Sequence, residues 1–87
     1  MRPIQCAKTT LQDVGDELLV LDRETNRLHH LNPTASWIYR QCDGRNSVEN
    51  LIDALSERFV IERETVEGDL LRTLAQLGAL GLIRADA

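Results

Sequence analysis

"RLHHLNPTASWIYR", residues 27–40, turns from strand to helix at its middle, and that turn decides the fold. Asn is a favoured N-cap, and Pro is tolerated at the first helical position, where no amide donor is needed. Asn32-Pro33 therefore predicts a helix start. Ala35, Ile38, Tyr39 and Cys42 then recur at helical spacing, and Gly44 is placed to end that helix in a left-handed conformation. Before the junction, Arg27 to Leu31 reads as a strand, whose adjacent histidines point one inward and one outward.

Working toward the N-terminus, "KTTLQDVGDELLVLD", residues 8–22, reads as two strands around Gly15-Asp16, a Gly-first dipeptide suited to a type II′ hairpin turn. The clearer strand is Glu17 to Asp22, whose run Leu18 to Leu21 offers apolar groups to both faces of a sheet. "RETN", residues 23–26, predicts a polar turn with Asn26 left-handed. The result is a meander of three short strands, which needs helices on one face to be stable.

Working toward the C-terminus, Ser47 can cap a second helix with the apolar stripe Val48, Leu51, Ile52, Leu55 and Phe59. A third helix is predicted from about Glu64 to Leu77, with Val66, Leu70, Leu74 and Leu77 inward and Gly78 as its stop. Leu80, Leu82 and Ile83 form a short apolar tail packed on the core. Three strands followed by three helices predict a single α+β domain over residues 1–87, with helices on one side of a small antiparallel sheet, an order that also describes a winged helix.

A chain of 87 residues buries roughly 60 to 65% of the surface its unfolded form exposes, enough for one small core. With 43% apolar residues, burial can offset chain entropy without metals or disulfides. The formal net charge of -4 repels a phosphate backbone unless cations cluster, and the nine arginines are instead spread along the chain beside acids. Three aromatic residues make a poor stacking platform for single-stranded nucleic acid. Cys6 and Cys42 lack the dense pairing of secreted miniproteins, no apolar stretch approaches the ~20 residues of a membrane span, and "MRPIQCAKTT" has no signal-peptide core. The expectation is a cytoplasmic protein with no membrane partner, in which Cys6 sits in a mobile N-terminal segment without a role.

Candidate chemistry is sparse. His29 and His30 point to opposite faces, so at most one serves a given metal, and their spacing from Cys6, Cys42 and Asp43 matches no zinc finger or ribbon. Cys42 lies on the apolar stripe near the C-terminal end of its predicted helix, where the dipole raises a thiol pKa, so it reads as a small buried hydrophobe. The acids of "ERETVEGD", residues 62–69, suit the positive end of a helix. No Gly-rich phosphate loop and no Ser-His-Asp arrangement is present in the sequence, so neither an enzyme active site nor a cofactor is implied. The edge of the sheet is more informative. "RLHHL" carries no Pro or Lys to prevent pairing, and such an edge can accept another extended chain through main-chain hydrogen bonds.

The run "GDELLVLDRETNRLHHLNPTASWIYRQCDGRNSVENLIDALSERF" resembles the PqqD-like family, small domains also called RiPP precursor peptide recognition elements. The resemblance covers roughly residues 10–83. Its most specific parts are the helix entry at Leu31, Asn32, Thr34 and Ala35 and the break at Cys42, Asp43 and Gly44, supported by the Gly15 to Glu17 turn and Asp22. It implies a three-strand, three-helix winged-helix-like domain without catalytic activity or cofactor. Such a domain binds the leader of a ribosomally made precursor peptide and presents it to a modifying enzyme such as a radical SAM protein, a cyclodehydratase or a leader peptidase. Carried over by position, the leader adds a strand to Arg27, Leu28, His29, His30 and Leu31, opposite Leu70, Leu71, Leu74 and Gln76. Two other readings share the pattern. A DNA-binding winged helix would need basic groups on the third helix, which has Glu64, Glu67 and Asp69 against Arg63 and Arg72. A homodimerising scaffold would pair the same edge with its own copy.

Overall fold

In the computed structural model, which describes residues 2–86, Gly15 takes a φ of 65° and folds β2 (Thr9–Val14) back on β3 (Glu17–Asp22), so that Val14 faces Glu17 across the two-residue turn. Asn26, at φ 59°, closes the next turn into β4 (Arg27–Leu31), which pairs antiparallel with β3 from Asp22↔Arg27 to Leu18↔Leu31. The sheet order is β2-β3-β4, as the meander predicts. Burial alternates strictly along β3: Leu18, Val20 and Asp22 are buried, whereas Glu17, Leu19 and Leu21 are only half-buried on the outer face.

Helices α1 (Pro33–Arg40), α2 (Val48–Phe59) and α3 (Arg63–Ala79) follow. Asn32 Oδ1 accepts from Ala35 N at 2.8 Å and Ser47 Oγ from Asn50 N at 3.1 Å, the two N-caps read from sequence. The core joins Leu18, Val20 and Leu31 of the sheet to Ile38 and Tyr39 of α1, Leu51, Ile52 and Leu55 of α2, and Val66, Leu70, Leu74 and Leu77 of α3. None of the described helices is long and apolar enough to cross a membrane.

A second sheet was not expected from the sequence. β1 (Arg2–Gln5) pairs antiparallel with β5 (Ile83–Asp86), so the predicted mobile N-terminal segment is a strand and the apolar tail continues into another. Cys6 N donates to Leu82 O at 2.9 Å on one side of this ribbon. On the other, Gln5 N donates to Cys42 O at 2.9 Å and Gly44 N to Pro3 O at 3.0 Å. These bonds correct the end of α1. The helix stops at Arg40 with Gln41 as its cap because Cys42, Asp43 and Gly44 are drawn off to pair with β1, through an Ile4↔Asp43 bridge. Cys42 thus lies just beyond the helix, still buried as predicted.

Three smaller corrections have local causes. α3 passes through Gly78 to Ala79, since the left-handed turn comes at Gly81 (φ 74°), where Leu82 N closes back on Leu77 O at 3.0 Å. Leu82 and Ile83 are buried as expected, but Leu80 is 44% exposed. Phe59, assigned to the inward stripe of α2, falls at the helix end and is 38% exposed, followed by Val60 in a left-handed conformation.

Candidate functional site

β4 is fixed at both ends. At its start, the Asp22 carboxylate, 4% exposed, accepts from Glu24 N at 2.9 Å and Thr25 N at 3.3 Å and so shapes the turn. Burial pushes the Asp22 carboxyl up, but those backbone donors, the Thr25 hydroxyl and the Lys8 ammonium outweigh it and hold the group below its ordinary range. At its end, Leu31 is buried, its carbonyl accepts from the fully buried Ser36 Oγ at 3.0 Å, and α1 begins two residues later, after the Asn32 cap.

The register determines which main-chain groups of β4 are free. Arg23 N donates to Lys8 O at 2.9 Å, immediately beyond the Thr9↔Asp22 pair. Hydrogen-bonded and non-hydrogen-bonded pairs alternate along an antiparallel ladder, so Leu21, Leu19 and Glu17 bond to β2 while Asp22, Val20 and Leu18 bond to β4. Their partners Arg27, His29 and Leu31 therefore spend their amides and carbonyls inside the sheet. Leu28 and His30 direct theirs outward, to an edge that no described strand covers.

The opposite edge, β2, is also unpaired, yet it differs in kind. Asp13 lies there on the helix-facing side, where its carboxylate meets Arg40 of α1, and an inward charge on an edge strand discourages pairing. β4 carries a charge on that face too, Arg27 at its first position, but the rest of its inner face is Leu31 and the half-buried His29, and its outer face offers Leu28. His30 Nε2 lies 2.9 Å from Glu17 Oε1 on that outer face. His29 Nε2 is buried without a hydrogen-bond partner among the described residues.

The four predicted α3 residues do not share one surface. Leu70 and Leu74 are buried in the core, whereas Leu71 and Gln76 are exposed. Leu71 and Leu74 line an apolar cavity of 280 Å³ together with Ala75, Gly78, Pro3 of β1 and Ile83, Arg84 and Ala85 of β5. Sequence reasoning missed the β1 and β5 walls, because they meet only through a pairing of the two chain ends. The basic groups of α3 are already engaged: Arg63 bonds Glu49 at 2.8 Å and also Asp53, and Arg72 bonds Asp69 at 3.1 Å. A helix whose two cations are already paired, one with α2 and one within α3, offers little to a phosphate backbone. Among the described residues no group of three or more His, Cys, Asp or Glu is placed to hold a metal, and both thiols are free.

A small winged-helix-like α+β domain, with an open sheet edge at β4 and a third helix whose cations are paired, has the form of a peptide-recognition module rather than of a nucleic-acid reader. The chain belongs to the PqqD family: the family model, described as coenzyme PQQ synthesis protein D, matches residues 17–83. No curated protein matches the sequence. Among solved structures, TbiB1 in complex with the TbiA(beta) leader peptide is 24% identical, covering 97% of this chain and 98% of that one with a TM-score of 0.87. Lasso peptide synthetase B1 complexed with the leader peptide is 18% identical, covering 98% and 100%, with a TM-score of 0.85. At these identities the likeness is one of fold.

Proposed function

We propose that this chain is a non-catalytic adaptor that binds the leader of a ribosomally made precursor peptide along β4 and presents it to a modifying enzyme. The observation that carries this reading is the outward row of amides and carbonyls at Leu28 and His30. The leader adds as a fourth strand there, and a further part of the same peptide places an apolar side chain in the cavity at Leu71 and Leu74, whose walls are α3, β1 and β5 and include no β4 residue. Family membership, and two solved structures of this fold described as leader complexes, support the reading. Because Asp22 and the α1 cap hold β4 in place beforehand, binding orders the peptide and little of the protein, which lowers the cost of association. A dissociation constant near micromolar, about -8 kcal/mol, is within reach of a few ladder bonds and two apolar anchors.

The test uses synthetic N-terminal segments of the short reading frames beside this gene, titrated calorimetrically. Leu28→Pro removes an outward donor and should abolish binding while circular dichroism stays native, since Pro is tolerated on an edge strand whose N–H faces solvent. His29→Pro removes a bond within the sheet and should damage the fold itself. Unchanged affinity in a folded Leu28→Pro variant would overturn strand addition. Sedimentation with and without peptide tests the competing reading, in which the same edge pairs two copies of the chain.

A further inference from the structure

Leu28 is 63% exposed, more than any other large apolar residue in the five strands, and nothing in the fold requires it to be apolar. Its side chain points away from the helices. Burial along β3 sets the inner face at Leu18, Val20 and Asp22, and their partners Leu31, His29 and Arg27 lie on that face. Leu28 and His30 therefore belong to the outer face, opposite Leu21 and Leu19 respectively. The two outer-face leucines of β3, Leu19 and Leu21, are half-buried, so Leu21 and Leu28 form a short apolar floor that runs out to the free edge. The floor is bounded on one side by the His30–Glu17 pair at 2.9 Å.

The outward amides belong to the same two residues, Leu28 and His30. A strand added to this edge places the residue opposite Leu28 on the outer face, and the next residue along on the inner face. We propose that the outer face at Leu28 is a specificity subsite: it selects a leader with an apolar side chain opposite Leu28, lying over Leu21, and a polar one two residues away beside His30 and Glu17. The inference rests on strand addition to β4 and adds a second reading surface, on the side of the sheet away from the helices. Cross-strand apolar pairs are the unit of sheet stabilisation, so the subsite discriminates by about threefold to fivefold, a modest but directional preference.

The experiment uses a displayed library of random dodecapeptides, panned on the full chain and counter-selected against Leu28→Pro, so that recovered peptides require the free edge. The best binder is synthesised and each of its residues replaced by Ala in turn. Affinities are measured for the native chain and for Leu28→Ser by fluorescence anisotropy. The expected result is one apolar peptide position whose replacement weakens binding about threefold to fivefold in the native chain and has almost no effect in Leu28→Ser. Edge-dependent peptides in which no position couples to Leu28 would overturn the subsite and leave strand addition standing. Failure to recover any peptide that distinguishes the native chain from a folded Leu28→Pro variant would overturn both.

Discussion

Cys42 and Cys6 carry the same functional group in opposite situations. Cys42 is 1% exposed, its Sγ donates to Ile38 O at 3.2 Å, and burial, with the neighbouring Asp43 carboxylate, pushes the thiol up to about 12. Cys6 is half-buried at the end of the ribbon. In a Cys6→Ser variant, a chromogenic disulfide reagent at pH 8 should therefore find no reactive thiol until denaturant is added; rapid reaction in the folded state would show that Cys42 is not sealed in the core. Asp22 makes a pH prediction of definite sign. Its folded-state pKa lies below the unfolded value, so its stabilisation is present above about pH 4 and is lost as pH falls through the depressed value. Asp22→Asn should lower the melting temperature at pH 7, and the gap from the native chain should narrow as pH falls below about 4. A gap that stays constant would separate the turn from the carboxylate charge. At this scale the sequence was legible wherever a side chain bonds its own neighbourhood. Asn32, Ser47 and Asn26 do what their local chemistry predicts, because a cap or a left-handed turn involves only three or four residues.

Elements were legible in kind and less so at their ends, and the exceptions share one cause. α1 stops early because its last predicted turn is taken by β1, and α3 runs on because the chain turns at Gly81 rather than Gly78. Neither choice is encoded within the helix concerned. The corner between α2 and α3 was not anticipated: Val60 is left-handed at φ 50° and 90% exposed, so a β-branched side chain holds a strained backbone and buries almost nothing in return. Relief of roughly 1 to 3 kcal/mol of strain, less about 0.5 to 1 for the extra freedom of glycine when unfolded, leaves Val60→Gly stabilising by about 1 kcal/mol. For a domain this size that raises the melting temperature by about 4 to 8 °C. A fall would mean that Val60 supports the fold despite its exposure. Leu71 offers the matching test on α3. It is 46% exposed and lines the cavity, so Leu71→Glu should leave the melt nearly unchanged and weaken leader binding about tenfold, about 1.4 kcal/mol. Equal affinity would confine recognition to the β4 edge.

On the scale of the molecule, the part of the fold that the sequence hid is the part that joins its two ends. "RPIQ" and "IRAD" are four residues each, lie about eighty positions apart and carry no internal period, so neither announces a strand until the other is beside it. Their pairing nevertheless ties the molecule together. Gln5 Nε2 donates to Tyr39 O at 2.8 Å, and the fully buried Tyr39 meets Thr9 Oγ1 of β2 at 3.2 Å, so β1 braces α1, which in turn reaches the three-stranded sheet. Removing residues 1–6 deletes this bond, the three backbone bonds to Cys42, Leu82 and Gly44, the Thr9 Oγ1 bond to Cys6 O and the β1–β5 ladder. At about 0.5 to 1.5 kcal/mol each, the first four alone contribute roughly 2 to 6 kcal/mol, a large share of the 5 to 15 typical of a domain. The truncated chain should melt at least 10 °C lower. It should also lose hydrogen-exchange protection at Gly44, whose amide donates to Pro3 O although the two residues are far apart in sequence. A truncated chain that keeps both its melting temperature and the protection of Gly44 would make the ribbon an appendage, and the three-strand, three-helix unit would then be the whole of the fold.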